Sequence, residues 1–276
     1  LAAVPVAERR LQLAGVSTAI LEGGDGPPIV LLHGPGGSAV HWTWVIPRLV
    51  ATHRVVAPDL PGQGASQVTD GSLDADRVLQ WLGELIERTC PSPPVLVGYA
   101  LGGAIAARFA GMGGDQISRL VLVDALGLAQ FEPAPAFGRA LNEFLAQPTE
   151  STHFLLWQQC ALDLDSVRRR MGEHWEPFRS YNLDRAGTPG VMAALVTLME
   201  LFGGPAIPPA DLARIRVPTT LIWGRHDRAT PLRTAEAASE RYGWPLHVIE
   251  DSADDPPIEQ PEAFLAALRT ALALPR

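Results

Sequence analysis

The residues with the clearest chemical geometry are Gly98-Tyr99-Ala100-Leu101-Gly102, inside the stretch VLVGYALGGAIAARFA at positions 95–110. An apolar run enters a glycine, a tight turn follows, and small residues then recur at helical spacing. This is the form of a strand–turn–helix elbow that lifts a nucleophile from its apex. The apex is Ala100, whose methyl group cannot attack a carbonyl or an alkyl carbon, so neither an acyl-enzyme nor an alkyl-enzyme can form there. Tyr99, beside it, carries a hydroxyl able to exchange a proton. His41, Ser38 and the Ser151-Thr152-His153 triplet are further polar candidates, but nothing in their spacing arranges them into a triad, and a Ser-x-His of this kind is mostly chance.

Other chemistries are set aside by residue type. The chain contains no lysine, which removes Schiff-base and Walker-type lysine chemistry. The seven histidines are scattered without HxxxH or HxH spacing, so no metal site is expected. PGQGAS closes a strand and is not a GxGxxG loop. No cofactor is expected.

The chain has 276 residues, of which 47% are hydrophobic and 19% charged, with a net charge of −8. That length and composition suit one large soluble domain. The negative charge argues against nucleic acid as a partner, and no run of 18 apolar residues predicts a membrane helix. The first residues, LAAVPVAERR, lack a basic segment followed by an apolar one, so no signal peptide is read. Cys90 and Cys160 have no CxxC spacing, and a reduced, cytoplasmic setting is expected. The oligomeric state is left open.

Short apolar runs ending in glycine or proline predict strands buried on both faces: PPIVLLHG, HRVVAPDLPGQGAS, PPVLVG, RLVLVDA, VPTTLIWGRHD and PLHVIED. An antiparallel hairpin or edge strand is expected over 10–22. Helices are expected over 73–88, 102–112 and 260–274. Strands alternating with helices predict a mostly parallel sheet covered on both faces. Positions 127–209 break the rhythm. They are helical in pattern and rich in large apolar side chains, and read as an inserted helical cap between core segments 1–126 and 210–276.

Six pieces carry a family likeness in order: LLHGPGG, PDLPGQGAS, VGYALGG, LVLVDA, LIWGRHDRATP and DPPIEQPEAF. Together they resemble the α/β-hydrolase superfamily, in the branch with a helical cap after the sixth core strand. The resemblance implies an eight-stranded α/β sheet, a pocket between core and cap, and a parent chemistry of serine hydrolysis on small apolar esters or lactones. It also assigns positions. Ala100 occupies the nucleophile position. Asp227 occupies the acid position, with His226 beside it structural. Asp254 stands where the family places its histidine, and no histidine follows His247, which falls within a strand. The oxyanion donors would be the N–H of Leu101 and that of the residue after His33-Gly34. The latter is Pro35, which has no N–H, leaving Gly36 to supply one if the loop is rotated. Trp42, Trp44 and Trp157 are candidate pocket walls for a small apolar ligand.

Two arrangements of the carboxylates are open. Asp227 and Asp254 could face one another, with one apparent pKa raised. Alternatively Asp254, shorter than histidine, turns to solvent and is inert, which is the preferred expectation. The functional readings are a hydrolase-derived protein unable to acylate, an engineered or inactivated hydrolase, an acid/base lyase, isomerase or cyclase using Asp254 and Asp227, and a ligand-binding pseudoenzyme.

Overall fold

Strands form where the apolar runs are. The computed structural model describes residues 4–113 and 116–273; the ends of the expected first and last segments, residues 1–3 and 274–276, lie outside the described residues. The strands are β1 (Ala7–Leu13), β2 (Val16–Gly23), β3 (Pro28–Leu32), β4 (Arg54–Pro58), β5 (Gln67–Val68), β6 (Val95–Tyr99), β7 (Arg119–Val123), β8 (Thr219–Gly224) and β9 (Leu246–Ile249). The helices are α1 (Ile46–Leu49), α2 (Ala75–Thr89), α3 (Leu101–Gly111), α4 (Pro135–Ala146), α5 (Glu150–Cys160), α6 (Leu164–Met171), α7 (Trp175–Ala186), α8 (Pro189–Leu198), α9 (Pro209–Leu212), α10 (Arg233–Tyr242), α11 (Pro256–Glu259) and α12 (Pro261–Ala273).

The sheet runs β1-β2-β4-β3-β6-β7-β8-β9. From β4 to β9 every pairing is parallel, whereas β1–β2 and β2–β4 are antiparallel. The expected eight strands become nine because the two-residue β5 pairs with β2. Its side chains are too few and too exposed to leave an apolar signature. The early hairpin begins at Ala7, three residues before the alternation becomes visible, because the outer half of β1 is exposed. β3, β6 and β8 are buried throughout, as continuous apolar runs require in a sheet covered on both faces.

Six helices, α4 to α9, lie between β7 and β8. Their internal packing is aromatic. Trp157, Trp175 and Phe178 meet at 5.0–6.1 Å between ring centres. The corner between α5 and α6 is tied to the core. Arg228 donates to the carbonyls of Gln158, Gln159 and Ala161, and Arg170 donates to those of Ile258 and Glu259. Among the described residues no single helix is long and apolar enough to cross a membrane.

The turn from β6 into α3 is the tightest place in the fold. A Cβ at Gly98 would lie 2.4 Å from the Gly102 carbonyl oxygen, and one at Gly102 would lie 2.5 Å from that of Leu32. Real Cβ atoms do not approach backbone that closely, so neither position accepts a side chain without moving the helix. Gly98→Ala is expected to destabilise the fold by roughly 3 kcal/mol or more, read as a lowered denaturation midpoint with unchanged slope in urea.

Candidate active site at the elbow

Ala100 has φ 46° and ψ −111°, a conformation that L residues rarely adopt. It is held there from both sides: its N–H donates to Val123 O at 3.0 Å, and its carbonyl accepts from Leu126 N–H at 3.1 Å. The nucleophile elbow is therefore fully formed, with a methyl group at its apex, 5% exposed. Leu101 is the first residue of α3, so its N–H has no intrahelical acceptor, as an oxyanion donor expected there requires.

The other donor belongs to the loop after β3. His33 accepts from Leu60 N–H through Nε2 at 2.9 Å. Its proton is therefore on Nδ1, which donates to Gly34 O at 2.8 Å. Burial holds this ring neutral, with its pKa lowered. Gly37 N–H closes a turn onto Gly34 O at 3.3 Å, with Pro35 and then Gly36 (φ 67°) between them. That is a type II turn, in which proline suits the first central place and glycine the second. Pro35 is thus accommodated by the turn, and Gly36 N–H is the first amide the loop offers after it.

The acid position carries an unexpected partner. Asp227 Oδ1 accepts from Ala229 and Thr230 N–H at 2.7 and 2.8 Å. Its Oδ2 is buried without a donor, as is Asp124 Oδ2. Asp124, itself at φ 42°, accepts from Gly224 N–H at 2.9 Å through Oδ1. Burial, followed by the charge of Asp227, drives Asp124 well above the ordinary carboxylate range, and burial followed by the charge of Asp254 does the same to Asp227. Asp227 thus lies beside a second buried carboxyl, that of Asp124.

Asp254 does not turn to solvent. It is 8% exposed, its N–H is bonded to Cys160 O at 3.0 Å, and its carboxyl is approached by the Cys160 thiol and the Tyr99 hydroxyl. The preferred expectation fails because the loop is pinned from the cap side. Burial, and then the charge of Glu259, raise Asp254 to about 7. Asp255 caps α11 and is also raised by burial, with Asp254 and Glu259 adding to it. His41 stacks on the Tyr99 ring at 4.6 Å and 12°. Its Nε2 lies 3.4 Å from Asp255 Oδ1. That distance would suit an ion pair, but burial lowers His41 to about 3 while raising Asp255, so desolvation opposes the pair from both sides and the imidazole is neutral at pH 7.

Glu259 is different in kind. Its Oε1 accepts from Ser252 Oγ and from the amides of Ala253 and Asp255, and its Oε2 from Leu162 N–H in the cap, at 2.6–3.2 Å.

Other candidates separate. Trp42 is not a pocket wall: the short turn Ala39–Trp44 aims its indole inward, fully buried in the main core against Phe264. Trp157 sits in the aromatic cluster of the cap, against which Ile258 also packs. Ser151 is exposed, while His153 is 1% exposed within a box of Phe144, Trp157, Trp175 and Phe178, so the two form no dyad. The serine and threonine there belong to a helix start, where Thr149 and Thr152 cap each other. His226 is exposed, and His247 lies in β9. Two surface grooves lie beside Arg168, Arg169 and Trp175 and along β9 and α12; neither is lined by Ala100, Asp227 or Asp254.

Asp124 could have been suspected from LVLVDA, an acid closing a buried strand. Cys160 gave no signal, because a helix end 94 positions before Asp254 is not readable as its neighbour (254 − 160).

Residues 29–267 match the alpha/beta hydrolase family. The chain belongs to that family. It is 28% identical over 265 residues to a pimeloyl-[acyl-carrier protein] methyl ester esterase of Aeromonas salmonicida, covering 92% of this chain and 98% of that one. It is 31% identical over 233 residues to the magnesium-chelatase 30 kDa subunit of Rhodobacter capsulatus, covering 78% and 76%. In fold it is similar to the 2-hydroxy-6-oxo-6-phenylhexa-2,4-dienoate hydrolase of Rhodococcus sp. strain RHA1, with TM-score 0.84 at 24% identity, covering 98% and 99%.

The raised pKa of Asp254 sets a pH dependence. A carboxyl that binds its proton more tightly when folded loses stability as pH rises from its unfolded value, near 3.8, to about 7. Asp254→Asn removes that loss. It is expected to stabilise the protein at pH 8 by on the order of a few kcal/mol and to have little effect at pH 4, measured by urea denaturation at the two pH values.

Proposed function

We propose that this chain is an α/β-hydrolase-fold protein that does not hydrolyse through an acyl-enzyme and uses the space between sheet and cap to hold a small, mostly apolar ligand. The observation that carries this reading is the intact, strained elbow presenting only the Ala100 methyl group, with a buried carboxyl in the place of the base. Triad members act as a unit, so the loss of two leaves little for the third to do. The names of the relatives, a methyl ester esterase and a ring-cleavage-product hydrolase, fit a parent that cleaved small acyl bonds.

A second reading is favoured by one observation. Asp254 is raised to about 7 beside the Tyr99 hydroxyl, and a group half protonated near neutral pH is suited to general acid/base work. On that reading the site moves a proton on a bound substrate without a covalent intermediate.

Incubation with a serine-directed fluorophosphonate is expected to leave the protein mass unchanged, and stoichiometric labelling would sink the proposal. Ala100→Ser combined with Asp254→His should hydrolyse short-chain aryl esters about 100-fold faster or more than either single variant. No gain in the double variant would mean that the site no longer holds the parent geometry.

A further inference from the structure

Five carboxyl groups converge around the elbow: Asp124 from the end of β7, Asp227 from the loop after β8, and Asp254, Asp255 and Glu259 from the loop after β9. All are buried. Among the described residues, no ion pair joins an arginine to any of them. The two arginines that reach these loops, Arg170 and Arg228, are bonded to backbone carbonyls instead.

The five are not equivalent. Glu259 has four donors, and Asp124 and Asp227 each accept from backbone amides. Asp254 and Asp255 remain, adjacent in sequence and without a cationic partner. The independent observation is His41. Its side chain is only 10% exposed, and its Nε2 points at Asp255 Oδ1 from 3.4 Å yet makes no hydrogen bond. A neutral imidazole nitrogen and the Asp255 carboxyl therefore face one another, with Asp254 near enough for its charge to act on Asp255, at a place to which a donor, and positive charge, would be drawn.

We propose that the space over the elbow is a site for a protonated primary amine on a small apolar body, its ammonium set among Asp254, Asp255 and His41. This rests on the non-acylating reading and adds the charge of the ligand to it. An ammonium brings three N–H donors and no acceptor, which matches three acceptor groups. It also compensates carboxylates that are otherwise costly to ionise when buried. An anion would meet only repulsion there, and a neutral alcohol would bring one donor and no charge. Because the groups facing Asp254 are Tyr99, Cys160, Asp227, Asp255 and Glu259, none of them cationic, binding should release a proton from the cluster.

The test is calorimetric titration of the full chain at pH 7.5 with n-butylammonium, n-butanol and n-butanoate, in two buffers of different protonation enthalpy. Butylammonium should bind about tenfold or more tightly than butanol, butanoate should not bind, and the heat for the amine should depend on the buffer as proton release requires. Asp254→Asn and His41→Phe should each weaken amine binding about tenfold while leaving butanol within about threefold. His41→Phe keeps a ring against Tyr99 and carries the test if Asp254→Asn does not fold. Equal binding of amine and alcohol, no binding of the amine, or full amine affinity in a folded variant would each overturn the proposal. Fluorophosphonate labelling would overturn instead the reading beneath it.

Discussion

The structure depends on a contact without clearance. β6 can turn into α3 only because Gly98 and Gly102 let backbone meet backbone where any side chain would collide. That contact fixes Ala100 in its strained conformation, since its N–H and carbonyl are both bonded to the chain around the end of β7. Asp124, also at positive φ, is one residue beyond that strand. The elbow is thus a packing solution first. It persists without a nucleophile because the sheet, the helix and the neighbouring strand all require its shape.

Around that rigid point the electrostatics are unusual. A catalytic histidine would ordinarily share a site with one buried acid. Here three carboxyls, those of Asp124, Asp227 and Asp254, are buried within reach of one another's charge. Buried like charges cannot all ionise, so Asp124 and Asp227 are driven well above the ordinary carboxylate range and Asp254 to about 7.

Much of this was legible in the sequence. The parallel strands are buried on both faces, so each reads as an uninterrupted apolar run, and the elbow is marked by its glycines. Motif order led to Ala100, Asp227 and Asp254, all three of which are buried. What could not be read was orientation. Whether Asp254 faces solvent depends on bonds from Cys160 and Leu162 in the cap, far away in the chain. Trp42 looked like a pocket wall because aromatic residues after the first loop have no periodicity to show which way they point. The two-residue β5 was too short to show at all.

Glu259 has a consequence of its own. One carboxylate grips the amide of Leu162 at the cap corner and, with its other oxygen, three groups of the loop that carries Asp254. Cap and loop are therefore mechanically one piece at this corner. A displacement of the α5–α6 corner would carry the loop of Asp254 with it.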